Sequence, residues 1–237
     1  MMTCPNALTL ENIQFSWPKK MQPTLAFPQL NIAHQQHVFI KGPSGCGKST
    51  LLGLLCGILT PQQGQVSVLG QDLSSLKQAQ RDQFRADHIG YIFQQFNLLP
   101  YLSVIDNVLL PCRFSRLRKQ RTLQDGPSLP QQAKQLLLRL QLPENCFDQP
   151  VNELSIGQQQ RVAAARALIG KPEIIIADEP TSSLDTDNRQ AFISLLMEQA
   201  NQSQACLIFV SHDANLQAHF EHSVDLTQLN QATGVSA

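Results

Sequence analysis

Residues Gly42-Pro43-Ser44-Gly45-Cys46-Gly47-Lys48-Ser49-Thr50 match the pattern G-x-x-x-x-G-K-[ST] at every fixed position, and no other feature limits the fold as tightly. The run lies between a short apolar stretch, His37 to Lys41, and a Leu-rich stretch, Ser49 to Ile58. It therefore reads as a turn from a strand into a buried helix. Glycines let a backbone wrap a phosphate chain without Cβ clashes, with successive N–H groups pointing inward. A helix starting near Ser49 would aim its positive end at the same anion. Lys48 is expected to reach the β- and γ-phosphates and Ser49 to ligate Mg²⁺. Cys46 fills a free position of the pattern and reads as a packing residue.

The rest of the chain reads as buried strands alternating with helices. Leu8 to Phe15 alternates apolar and polar residues, as a half-buried strand does, and Pro18, Pro23 and Pro28 are expected in the loops that follow. Gln65–Leu69, Ile89–Phe93, Glu173–Asp178 and Ala205–Val210 are further strand candidates. Lys77 to Asp87 reads as an exposed helix and Asn188 to Gln199 as another helix. From about Val104 to Leu168, Gln- and Leu-rich helical stretches dominate, and Arg113 to Pro130 is expected to be a loop between helices. Such alternation indicates a parallel α/β core.

The strand Ile174-Ile-Ile-Ala-Asp178 ends in two acids, Asp178 and Glu179. An isoleucine run is buried on both faces, so its end emerges at the carboxyl edge of the sheet, where ligands sit in such folds. Asp178 would hold Mg²⁺ through its waters, and Glu179 could polarise an attacking water. The alternative is a capping pair at a strand-to-loop turn.

Composition narrows the setting. Apolar residues make up 42% and charged residues 15%, which reads as globular rather than disordered. Basic and acidic residues number 18 each, so there is no global pull toward nucleic acid or anionic lipid. Cys4, Cys46, Cys56, Cys112, Cys146 and Cys206 form no CxxC pair, which argues against zinc-ribbon and thioredoxin-type readings and suggests a reducing cytosol. Met1 to Leu10 lacks the basic start and apolar stretch of a signal peptide. The most apolar helical segment, Leu51 to Leu59, is far shorter than the roughly 20 residues of a membrane span. A membrane role would need a partner.

Further motifs stand in a telling order. Leu154-Ser155-Ile156-Gly157-Gln158, followed by Gln159-Gln160-Arg161, resembles the signature of ABC ATPases, and it lies just upstream of the acidic strand. Phe93-Gln94 resembles the family's Q-loop, Ser183-Leu184-Asp185 its D-loop and Val210-Ser211-His212-Asp213 its switch-histidine strand. The match spans nearly the whole chain. It implies an α/β P-loop NTPase core with a mostly parallel sheet, a small N-terminal antiparallel sheet and an inserted α-helical subdomain. The chain would be one domain, with a core lobe at about 1–94 and 167–237 and the helical subdomain at about 95–166.

The same resemblance implies roles. ATP would bind the phosphate loop, with Trp17 stacked on adenine; the alternative is that Phe15 and Trp17 are both core residues. Gln94 would join Ser49 and Asp178 around Mg²⁺. Glu179 would serve as base, and His212 would hold the γ-phosphate and the attacking water. Two copies would pack head to tail, so that Ser155, Gly157 and Gln158 of one touch the ATP held by the other. Ile156 departs from the usual glycine of the signature.

Ile89-Gly-Tyr-Ile-Phe-Gln-Gln-Phe-Asn-Leu-Leu-Pro100, continuing to Pro111, resembles the lipoprotein-release and macrolide-export subfamily. It implies an ATPase subunit bound to an integral membrane permease, peripheral on the cytoplasmic side of a bacterial inner membrane, with no nucleic-acid partner. The alternative class is a soluble ABC ATPase, such as one for iron–sulfur cluster assembly. Gln94 to Pro111 is the expected permease surface, through Phe96, Leu98, Leu99, Tyr101 and Leu102; the alternative is that these residues pack inside the helical region. Arg113, Arg116, Arg118, Lys119 and Arg121 read as a solvated basic cluster, and His219 and His222 as surface histidines.

Overall fold

The computed structural model describes residues 6–20, 22–182 and 184–232. Cys4 and the D-loop residue Ser183 lie outside the described residues. In chain order come β1 (Asn6–Phe15), β2 (Leu25–Ala33), β3 (His37–Lys41), α1 (Lys48–Leu55), β4 (Gln63–Val68), β5 (Gln71–Asp72), α2 (Gln78–His88) and β6 (Ile89–Ile92). They are followed by α3 (Val104–Phe114), α4 (Arg116–Gln124), α5 (Leu129–Arg139), α6 (Ile156–Leu168), β7 (Ile174–Asp178), α7 (Thr186–Gln202), β8 (Cys206–Ser211), β9 (His222–Asp225) and α8 (Leu226–Leu229). The chain is α/β, with parallel strand pairs and a small antiparallel sheet. It divides into two compact units, Met1–Arg85 with Ile208–Ala237, and Ala86–Leu207.

The first unit carries the antiparallel sheet, in the order β2-β1-β4-β5. Alternation along β1 turns Leu8, Leu10, Ile13 and Phe15 into its core. The register shifts between Glu11 and Gln14 on the β4 side, and a Cβ on Gly64 (φ 90°) would strike the carbonyls of Glu11 and Asn12 there. Pro28 lies inside β2, contrary to the loop expected for it. Because β2 is an edge strand, the N–H that proline lacks is one the ladder does not need. The same unit holds β3 paired in parallel with β9. Phe39 of β3, Phe209 of β8 and Phe220 form an aromatic cluster with centroids 5.3–6.1 Å apart.

The second unit pairs β6 with β7 in parallel, Ile89 opposite Ile174 and Ile92 opposite Ala177. Helix α6 packs against β6, α3 and α5 pack with α6, and α4 packs with α3 and α5. Residues 116–124 are helical, not the loop expected from their basic composition. Ser115 caps α4 by accepting from the Arg118 N–H (2.9 Å). The cluster also separates by face. Arg113, Arg116 and Lys119 are exposed, whereas Arg118 is 2% exposed. Its guanidinium donates to the carbonyls of Ile169 (2.8 Å), Ala167 (2.7 Å) and Arg166 (3.2 Å) at the end of α6, and to Ile89 (3.4 Å). The first three are orphan helix-end acceptors, which a buried arginine satisfies. Burial pulls its pKa down to about 10, so it stays charged at neutral pH.

Among the described residues no helix is long and apolar enough to cross a membrane. Cys46, Cys56, Cys112, Cys146 and Cys206 are free thiols, all buried. Desolvation pushes the Cys206 thiol up to about 12.

Candidate nucleotide site

Within the first unit, β3 delivers the chain into the phosphate loop and α1 leaves it. Gly45 (φ 84°) and Gly47 (φ 106°) are left-handed. A Cβ added at Gly45 would meet nothing within 4 Å, so the loop opens to space there. A Cβ on Gly42 would lie 2.5 Å from Cys46 Sγ, and Cys46 is 1% exposed. Cys46 thus packs beneath the loop. Lys48 Nζ bridges the carbonyls of Gly42 (2.7 Å) and Pro43 (3.1 Å), which holds the cation along the loop. Pro43, Ser44, Gly45 and Ser49 are exposed, whereas Gly47, Lys48 and Thr50 are buried.

Trp17 is 41% exposed and Phe15 is 5% exposed, so only Phe15 is a core residue. Their rings meet edge-on at 5.3 Å. Trp17 Nε1 donates to Thr50 Oγ1 at 3.3 Å, fixing an open indole face beside the end of the loop. His212 follows β8 directly and is exposed, in a turn where Asp213 N–H donates to Ser211 Oγ (3.1 Å). No acidic side chain stands in the first turn of α1. Left-handed glycines, an open loop, a helix start and a tethered lysine suit a phosphate chain.

Within the second unit, β6 and β7 run parallel and end side by side. Gln94 leaves one, and Asp178 and Glu179 leave the other. Tyr91 Oη donates to Asp178 Oδ2 at 3.1 Å. Glu179 has φ 45°, a left-handed backbone uncommon for a side-chain-bearing residue, at a turn closed by Ser182 N–H to Glu179 O (3.2 Å). Within this unit Gln94 and Asp178 bring an amide and a carboxylate, hard oxygen donors of the kind a Mg²⁺ ion accepts, to one edge.

Ser155 caps α6. Its hydroxyl accepts from Gln158 N–H (3.3 Å), and Gln158 Oε1 accepts from Ser155 N–H (2.8 Å), completing a capping box. Gln158 also donates to Cys146 Sγ (3.3 Å). Gly157 has only Leu184 near its missing Cβ, at 4.0 Å, and Ile156 is 52% exposed. The same helix touches both turns of the carboxyl edge. Gln160 Nε2 donates to Pro180 O (2.7 Å), and Arg166 donates to Asn97 O (2.6 Å) and Phe96 O. Burial lowers the Arg166 pKa. Tyr91, Gln160 and Arg166 were not legible as site residues, since each acts on backbone or side chains brought near only by folding. Asp185 of the D-loop caps α7, and hydrogen bonds from the Asn188 backbone and side chain hold its carboxyl below the usual range.

Two of the residues expected at the permease surface behave differently. Phe96 is 7% exposed and belongs to the core, turned in by a left-handed backbone (φ 59°). Tyr101 is 78% exposed.

A phosphate loop behind a strand, an acidic strand end beside a glutamine turn, and a capped signature helix together define an ATP-binding cassette. Residues 27–182 match the family described as ABC transporter, and the chain belongs to that family. The lipoprotein-releasing system ATP-binding protein LolD of Hydrogenovibrio crunogenus is 38% identical over 210 residues, 89% of this chain and 88% of that protein. The uncharacterized ABC transporter ATP-binding protein MJ0796 of Methanocaldococcus jannaschii is 38% identical over 187 residues, 79% of this chain and 78% of that protein. The solved dimer of a post-hydrolysis state of MJ0796 bound to ADP and Pi matches with TM-score 0.79 and 30% identity, covering 97% of this chain and 99% of that one. The chain is accordingly an ATP-binding, ATP-hydrolysing cassette of the ABC type.

Proposed function

We propose that this cassette powers a membrane permease of the export or lipoprotein-release kind, as a homodimer that clamps two ATP molecules. The names of the relatives favour this reading over a soluble iron–sulfur assembly ATPase. In each site Lys48 and the backbone of Gly42 to Thr50 bind the phosphates, and Trp17 stacks on adenine. Ser155 and Gly157 of the second copy cap the γ-phosphate. Ser49, Gln94 and Asp178 would hold Mg²⁺, which neutralises phosphate charge when bound.

Glu179 accepts hydrogen bonding from a water poised at the γ-phosphorus, and His212 steadies both. The water oxygen bonds to phosphorus as the bond to the ADP oxygen breaks, and the water proton leaves toward Glu179. Without the γ-phosphate the second copy loses its anion and the clamp opens. The permease would dock on the cytoplasmic side of the inner membrane through Tyr101 and the half-buried Leu98, Leu99 and Leu102, next to Gln94.

The carrying observation is the parallel pairing of β6 with β7, which brings Gln94 out beside Asp178 and Glu179. Glu179→Gln is the test. It should keep ATP, lose about 10²-fold or more in turnover, and accumulate as an ATP-bound dimer on size-exclusion chromatography. Normal turnover in this variant refutes the role of Glu179.

A further inference from the structure

We infer that Tyr91 is a positioning residue for Asp178, fixing the carboxylate that the mechanism above assigns to Mg²⁺. This role rests on that mechanism and extends it to a side chain to which no motif gives a role in the site. Tyr91 sits in β6 opposite Ile176 of β7. Side chains two apart along a strand share a face, so Tyr91 and Phe93 stand on the side of Ile176 and Asp178. From Tyr91, Asp178 is the diagonal neighbour one pleat nearer the carboxyl edge, a reach suited to a long aromatic side chain. The phenol spans it, with Oη 3.1 Å from Asp178 Oδ2.

The ring is itself braced. Phe93 lies 4.3 Å from it, centroid to centroid, with a 35° tilt. Phe93 immediately precedes Gln94, so one aromatic pair borders both residues assigned to the ion in this unit. The last torsion of an aspartate is broad, and a fixed donor on one oxygen narrows it. A phenol can donate here, and an ionised carboxylate only accepts, so the direction of the bond is set. Phenylalanine would supply the same packing without that bond.

Partners of ion-binding carboxylates typically change metal affinity by 10–100-fold. Asp178 is assigned to the ion through water, so a smaller effect of about 3–10-fold is expected.

Tyr91→Phe in the full chain removes the hydroxyl and keeps the ring. Binding of a fluorescent ATP analogue is measured in EDTA and then against rising Mg²⁺, beside a thermal melt and the Mg²⁺ dependence of ATPase activity. The melting temperature and the EDTA affinity should match the wild type. Half-saturating Mg²⁺ should rise about 3–10-fold in both binding and turnover. Asp178→Ala should raise it further, and adding Tyr91→Phe to Asp178→Ala should change nothing more.

Unchanged half-saturating Mg²⁺ in Tyr91→Phe, with Asp178→Ala shifted, overturns the proposal and leaves the mechanism standing. An unshifted Asp178→Ala overturns the assignment of Asp178, and the role of Tyr91 with it. Loss of ATP binding in EDTA or a lowered melting temperature in Tyr91→Phe marks the hydroxyl as structural and also overturns the proposal.

Discussion

Gln160 Nε2 lies 2.7 Å from the carbonyl of Pro180, one residue after Glu179, and both residues are buried. The signature helix thus holds the turn that carries the proposed base. Gln160→Leu should leave that carbonyl unsatisfied, destabilise the chain by about 1–3 kcal/mol and lower turnover more than ATP affinity. Chemical unfolding and kcat measured beside ATP binding check this. Equal kcat with lower stability would leave Gln160 a packing residue only.

Glu173 opens a pH-dependent contribution to stability. Burial pushes its carboxyl up, but hydrogen bonds from His88 (3.0 Å) and Arg121 (2.6 Å) outweigh that and bring it down to about 2. Its folded pKa lies below the ordinary value of 4.5, so the contribution is present above about pH 4.5. It fades as pH falls through about 2. Urea unfolding should therefore show wild type more stable than Glu173→Gln at pH 7, with the gap closing as pH falls from 4.5 toward 2.

Ser155→Arg separates binding from clamping. Ser155 is exposed and caps α6, so the change costs about 1 kcal/mol of cap and fills the face proposed to meet the second copy's phosphate. ATP should still bind the monomer, and dimer formation should fail. Lys48→Ala should instead lose ATP binding itself. Mixing the two variants should restore one composite site and part of the hydrolysis. Loss of ATP binding in monomeric Ser155→Arg contradicts head-to-tail packing.

Tyr101, at 78% exposure, is the residue to watch at the proposed permease surface. Tyr101→Cys should crosslink to a co-expressed permease in an ATP-dependent way, whereas a cysteine at the buried Phe96 should not. ATP-dependent crosslinks formed only elsewhere refute this surface.

The strands and helices around the motifs were legible because phosphate and metal chemistry fix residue spacing. The turn from β3 into α1 and the isoleucine strand β7 fall where the pattern put them. The edge-strand proline and the interior arginine are another matter. Pro28 sits in a strand because β2 has a free edge, and Arg118 is buried because helix α6 ends beside it. Neither fact is local. Tyr91 and Gln160 lie within quoted motifs, yet sequence gives them and Arg166 no role, since their partners are a distant carboxylate and backbone carbonyls.

The left-handed backbone of Glu179 sets evolvability against activity at one position. A non-glycine residue at φ 45° carries a conformational cost of order 1–3 kcal/mol. Glycine would relieve part of it, so Glu179→Gly should melt higher than Glu179→Gln while both hydrolyse poorly. A chain under selection for robustness alone would drift to glycine here, and retaining the acid, as the proposed base, is a standing sacrifice of folding stability to turnover.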